Sequence, residues 1–324
     1  MAAAANDHQN SRAPRRKDGT PRISGLFLAF MSGFTVSISS LMTKLATSST
    51  FLQITLVRAI VIGGFMLVWC LAKGHWSSSG NLLPNLPIRT LGWLVMRSFS
   101  SFVAMMTIYA VYKKVPMGDA SAIFGVTPVF SGLLSIVMLG EAWQQKHIHL
   151  TLLAWTGIIF IYKPQFLINA LPHVYDGFEV ETANPPPDKF YLLLALLVPV
   201  GSSLSFVISR KLSQSTPQSM IICVTFIGVT LYSCVVMATV EGISIPPFRD
   251  WKFLIPEIVA GLASQALTGE ALKREAAASV TLMRNSTIIF SFIFQFVFFG
   301  NVPSWSSVVG ALMIVSSTAL LAAT

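Results

Sequence analysis

Apolar windows about 20 residues long recur from one end of this chain to the other, and no other feature limits its fold so severely. A helix rises about 1.5 Å per residue, so each window is long enough to cross about 30 Å of hydrocarbon. The windows fall near residues 23–43, 51–72, 91–112, 118–140, 147–167, 190–210, 218–240, 251–272, 277–299 and 303–323. The chain lacks the polar groups to cover these segments in water: 53% of its residues are hydrophobic and 11% charged, with mean hydropathy +0.68. A soluble domain carries about 25% charged residues. In lipid every backbone polar group must find its partner within the protein, which a helix achieves by itself. The sequence therefore predicts an all-α integral membrane protein with ten transmembrane helices.

The net charge of +9 resides in short loops and a polar tail over residues 1–22, which holds Arg12, Arg15, Arg16, Lys17 and Arg22. Basic residues in that arrangement indicate membrane orientation, not nucleic-acid binding. The tail reads as a disordered basic cytosolic segment. A cleavable signal would end in a shorter apolar run with a small-residue cleavage site. The expected protein is thus multi-pass with both termini cytosolic, in a plasma membrane or endomembrane that the sequence leaves undecided. Cys70, Cys223 and Cys234 lie inside apolar runs and read as small hydrophobes, with no disulfide or metal spacing.

Residues 168–189 form the one substantial extramembrane connection, acidic and containing Pro185, Pro186 and Pro187. The linker divides the chain into a first repeat over 23–167 and a second over 190–324, each with five helices. An odd helix number makes the second half enter the membrane from the opposite side. A shift of 160 residues lays Lys113–Glu141 on Lys273–Asn301 without a gap. Lys113/Lys273, Thr127/Thr287, Phe130/Phe290, Ser131/Ser291, Val137/Val297 and Gly140/Gly300 then coincide. Lys44-Leu45 also falls on Lys211-Leu212 at the corresponding end of each half's first helix. Inverted repeats of this kind build transporters whose site lies at the repeat interface, around a central cavity.

The run Arg97-Ser-Phe-Ser-Ser, then Tyr109-Ala110, Gly118-Asp119-Ala120-Ser121-Ala122, Pro128-Val129-Phe130 and Leu139-Gly140-Glu141 resembles the EamA repeat of the drug/metabolite transporter superfamily. The later segment from Phe292 through Gly300-Asn301-Val302-Pro303-Ser304-Trp305, with Gly310-Ala311, is similar to the G-type subfamily of solute carrier family 35. The resemblance implies ten helices, cytosolic termini and transport of a small organic solute. Many EamA repeats end in Gly-Glu. Here the first does, whereas the second ends Gly300-Asn301, so no role for that glutamate extends to both halves.

Arg58, Arg97, Glu257 and Arg284 lie roughly a third of the way into their helices. Each would cost about 2.5–3.5 kcal/mol facing lipid, so they should face one another or a wet cavity. Glu257 is a carboxylate that could neutralise Arg97. Arg58 and Arg284 suit a cavity, and Arg284 stands where the first repeat has the apolar Phe124. Asn285 and Gln295 are polar positions in a phenylalanine-rich span and complete the set of cavity candidates. The competing reading is that the charged residues snorkel or pair structurally. Glu270, beside Lys273 and Arg274, reads as an interfacial ion pair. Pro128 and Pro199 interrupt the fourth and sixth helices. Gly118, Ala122, Gly125 and Gly132 form a small-residue stripe suited to close helix contact.

The arginines outnumber Glu257, which favours an anionic, carboxylate-type solute. No HExxH or Walker-type loop occurs, so no enzyme activity, metal or cofactor is expected. The expected partners are a small organic solute and the bilayer, without nucleic acid, and a homodimer is left open. Secondary transport by alternating access is the leading reading. A nucleotide-sugar carrier and a non-transporting membrane scaffold or regulator are the alternatives.

Overall fold

The computed structural model describes residues 25–73, 87–114, 117–140, 145–162, 189–300 and 305–323. The tail over 1–22 and almost all of the linker over 168–189 lie outside the described residues. Described residues form α1 (Gly25–Leu45), α2 (Phe51–Ala72), α3 (Ile88–Lys114), α4 (Met117–Phe124), α5 (Thr127–Leu139) and α6 (Gln145–Tyr162) in the first half. The second half holds α7 (Lys189–Leu212), α8 (Gln218–Val240), α9 (Trp251–Arg274), α10 (Ala277–Arg284), α11 (Ser286–Phe299) and α12 (Trp305–Ala323). These helices occupy the ten expected windows, with no strand among the described residues. Five segments, Gly25–Leu45, Phe51–Ala72, Ile88–Lys114, Gln218–Val240 and Ala277–Phe299, are long and apolar enough to cross a membrane.

Local chemistry accounts for the helix ends. The Thr50 side chain accepts from the Gln53 N–H while the Gln53 side chain accepts from the Thr50 N–H, a capping box that starts α2. Gly140 and Gly300, which coincide under the 160-residue shift, end α5 and α11 with φ of 67° and 70°. Only glycine takes that left-handed conformation without steric cost.

The fourth window is interrupted near Pro128, and the ninth differs from the expected single helix. Each is broken, α4 from α5 at Gly125-Val126 and α10 from α11 at Asn285. Pro128 explains the first break. Without an N–H it leaves the Phe124 carbonyl unpaired, and the Thr127 hydroxyl donates to that carbonyl instead. The second break carries neither proline nor glycine. The chain just after it packs on α1: the Ser37 hydroxyl donates to the Thr287 carbonyl at 2.9 Å, and Thr287 Oγ1 donates to the Gly33 carbonyl at 3.0 Å. Pro199, by contrast, lies inside α7 without ending it.

The most extensive packing joins helices of different halves. α1 lies antiparallel against α9, and α7 lies antiparallel against α3, which is the same pairing with the repeats exchanged. The self-equivalent pairs α2–α8 and α6–α12 complete the pattern. Small residues allow the approach. A Cβ at Gly157 would lie 2.5 Å from the Gly310 carbonyl oxygen, so α6 and α12 meet backbone to backbone.

Candidate functional site

A cavity of about 170 Å³ lies between the halves, lined by α1, α2, α3, α7, α9 and both broken helices. Its polar surface is mostly hydroxyl: Ser39, Ser40, Ser101, Ser202, Ser205, Ser264, Thr268, Thr281 and Thr287. Two arginines, Arg58 and Arg284, stand among them with Asn285.

The breaks in the two broken helices meet across the interface. Asn285 Nδ2 donates to the Gly125 carbonyl at 3.1 Å, and the 160-residue shift makes these two positions counterparts. Two further bonds repeat that relation. Ser121 donates to Ser291 at 2.9 Å, and Ser131 bonds Thr281 at 2.6 Å; Ser121 corresponds to Thr281 and Ser131 to Ser291. One bond thus maps onto the other when the halves are exchanged.

Toward the Leu45 end of α1, Arg58 and Glu257 form a buried ion pair, with side-chain exposures of 8% and 0%. Arg58 Nη1 donates to Glu257 Oε1 and to the Tyr109 hydroxyl, and reaches Ser39 Oγ at 3.1 Å. Tyr109 and Ser39 donate to the same Oε1 at 2.7 and 2.9 Å. Gly261, one turn along α9 from Glu257, makes room for the guanidinium: a Cβ there would sit 2.2 Å from Arg58 Nη2.

Arg97 does not meet Glu257. Its Nε donates to Ser209 at 2.5 Å and its Nη1 to Thr225 Oγ1, at 4% exposure and outside the cavity wall. The expected pairing fails for a geometric reason. Extending the 160-residue shift places Arg97 on Glu257, and extending the Lys44/Lys211 register places Arg58 on Thr225. Counterparts far from the midplane lie toward opposite ends of the bundle, and Arg97 and Glu257 are such a pair, unlike Gly125 and Asn285, which meet at the centre. Each instead meets the other's partner position.

Arg284 projects from the last turn of α10. Its Nε donates to Ser32 Oγ at 3.1 Å, and its guanidinium carbon lies 4.6 Å from the centre of the Phe206 ring. Ser32 Oγ also bonds Thr268 at 2.6 Å, which ties the arginine to the α1–α9 interface. The ion pairs among the described residues do not include Arg284: they are Arg58–Glu257 and the pairs of Glu270 with Lys273 at 2.6 Å and Arg274 at 4.0 Å. Gln295 is half-buried on α11 and does not line the cavity.

The sequence reasoning missed Tyr109, Ser39, Ser32 and Phe206 as parts of this site. Tyr109 carried a family resemblance and no chemical signal of its own. Serines and phenylalanines are too frequent in this chain to stand out. Toward the Leu45 end, loops of the two halves are joined: Ser49 donates to Asp250 at 2.6 Å, Thr50 to Glu241 at 3.0 Å and Gln53 to Ser244 at 2.9 Å.

Known proteins resemble this chain in sequence and in fold. The EamA-like transporter family matches residues 23–163 and 189–323, one stretch for each half. Solute carrier family 35 member G1 of Homo sapiens is 28% identical over 307 residues, covering 90% of this chain and 77% of the human protein. The pseudopaline exporter CntI of Pseudomonas aeruginosa is 23% identical over 302 residues, covering 93% of this chain and 96% of the exporter. One solved crystal structure superposes with a TM-score of 0.67 at 17% identity, over 93% of this chain and 97% of that one, a likeness of fold. With the family matched across both halves and the interlocked repeats enclosing a cavity, this chain belongs to the EamA-like transporter family.

Proposed function

We propose that this membrane protein is a secondary carrier that moves a small organic anion of carboxylate type through the central cavity by alternating access. The observation that carries the reading is Arg284, a guanidinium at the cavity wall whose partners are a hydroxyl and an aromatic ring. Neither neutralises it. Arginine offers parallel donors that match a carboxylate, and the surrounding hydroxyls supply further donors. Arg58 lines the same cavity, but Glu257 already balances its charge.

Transporters among the relatives support a carrier over a scaffold, which has no need of a polar cavity. The exchange of packing partners between halves supports alternating access, because each contact has a counterpart at the opposite end. Volume favours a compact metabolite over a nucleotide sugar. The cavity of about 170 Å³ falls below the roughly 300–1,000 Å³ of pockets for drug-sized ligands. The basic tail favours cytosolic termini.

The test is uptake into proteoliposomes containing the full chain, screened across mono-, di- and tricarboxylates, amino acids and nucleotide sugars. Saturable uptake of a carboxylate is the expected result. Uptake confined to neutral or cationic solutes would overturn the reading.

A further inference from the structure

We infer that Gln265 is a specificity-determining residue: it reads a hydroxyl on the solute that Arg284 holds by its carboxylate, so the carried anion is a small hydroxycarboxylate. The inference rests on the anionic-solute reading above and adds a second, uncharged contact to it.

Gln265 lines the cavity from α9 and is partly buried. It differs from the polar groups around it, because no hydrogen bond engages its amide among the described residues. Its neighbours are taken. Ser264 Oγ lies 3.3 Å from Ser32 Oγ, Thr268 bonds Ser32 at 2.6 Å, and Asn285 donates to the Gly125 carbonyl at 3.1 Å. On α3, Ser101 bonds Ser205 at 2.8 Å and Tyr112 bonds Ser121 at 3.4 Å. An amide left idle in a wall that elsewhere satisfies its own polar groups is available to the contents of the cavity.

The two halves differ in what they present there. Under the 160-residue shift Gln265 corresponds to Met105, Thr268 to Ile108 and Arg284 to Phe124, and every one of these residues lines the cavity. Each is polar in the second half and apolar in the first. Such a cavity fits a solute with its polar groups on one side and hydrocarbon on the other.

Position links the amide to Arg284. Gln265 lies one turn beyond Gly261, the seat of Arg58, and three residues before Thr268. Thr268 shares Ser32 with Arg284 Nε. Three residues advance a helix about 4.5 Å, so a compact solute in the cavity of about 170 Å³ can reach both groups.

The chemistry of glutamine selects what it reads. The amide is neutral and both donates and accepts, as a hydroxyl does. A carbonyl or a second carboxylate engages only the N–H donors, and a methylene engages neither end.

The test is uptake into proteoliposomes of two solute pairs matched in charge, lactate against propionate and malate against succinate. Wild type, Gln265→Met and Arg284→Ala are compared at matched amounts of folded protein. Wild type should bind the hydroxy acid of a carried pair roughly 2- to 12-fold more tightly, the worth of one neutral hydrogen bond. Gln265→Met, which installs the residue of the counterpart position, should bring the pair to equal affinity and hold the deoxy acid at least as tightly as wild type. A structural defect would weaken both members alike and leave their ratio unchanged. Should Gln265→Met not fold, Gln265→Leu reads the same ratio, and wild-type selectivity is decisive without either variant. Equal affinities in wild type, or a preference that persists in the folded variant, would overturn the inference, while weakened uptake by Arg284→Ala would uphold the anionic reading. Carriage of other carboxylates but of neither pair would also overturn the inference alone. Failure to carry any carboxylate would refute the anionic-solute reading and this inference with it.

Discussion

Gly261→Ala isolates the seat of Arg58. The added methyl would lie 2.2 Å from Arg58 Nη2, 2.3 Å from Cζ and 2.8 Å from Nη1, closer than real Cβ contacts. Arg58 is a flexible side chain, but its guanidinium is held by Glu257, Tyr109 and Ser39. Two relaxations are open. The helices α9 and α2 can separate, an overpacking cost of about 1–3 kcal/mol. Alternatively Arg58 can leave Glu257, which strands a buried carboxylate at about 3–5 kcal/mol. The cheaper route sets the loss, so about 1–3 kcal/mol is expected. Thermal unfolding in a fixed detergent measures it, with Gly64→Ala as the control, since nothing lies within 4 Å of a Cβ there. Gly64→Ala should be neutral or slightly stabilising, because alanine favours helix. Equal melting temperatures for Gly261→Ala and Gly64→Ala would refute the claim that Arg58 is rigidly seated.

Further outcomes follow from the fold. Ser131→Ala and Ser121→Ala each remove one of two equivalent bonds between the broken helices, so each should lower stability by about 0.5–1.5 kcal/mol in the same unfolding assay. Cysteines introduced at the exposed Ser48 and Ser215, in equivalent loops of the two halves, should label from opposite faces of sealed vesicles; labelling from one face would contradict inverted repeats. Glu275, between α9 and α10, has its carboxyl pushed above the usual range by burial, against the opposing pull of Arg210. A folded-state value raised above the unfolded one favours folding below the unfolded value, and that contribution is lost as pH rises through the folded value. Glu275→Gln should therefore raise stability at neutral pH relative to wild type and flatten the rise that wild type shows on acidification toward the carboxylate range.

Hydropathy made the helices legible, because crossing lipid requires long apolar runs wherever the partners lie. The break at Gly125-Val126 was signalled by Pro128, whereas the break at Asn285 has no local signature and is followed by Thr287, which exchanges hydrogen bonds with Ser37 and Gly33 of α1. The charged positions were readable for the same reason as the helices: a charge in an apolar run is conspicuous. Their pairing was not. Arg58 meets Glu257 across 199 residues of sequence, and choosing among the arginines required knowing which ends of the helices coincide. The repeat register bears on Arg97, since that residue is the counterpart of Glu257 and counterparts meet only near the centre of the bundle, as Gly125 and Asn285 do. Ser32 and Phe206, which position Arg284, belong to residue types that recur throughout the chain and are distinguished only by the fold.

The central claim is that Arg284 receives the anionic group of the solute. Uptake affinity for the carboxylate found by screening should be compared in wild type, Arg284→Lys and Arg284→Ala at matched amounts of folded protein in the vesicles. Loss of a charge-assisted contact worth about 1.5–3 kcal/mol should weaken affinity roughly 10- to 150-fold in Arg284→Ala. Arg284→Lys should recover part of that loss, because it keeps the charge without the planar pair of donors. Unchanged affinity in Arg284→Ala would contradict the account.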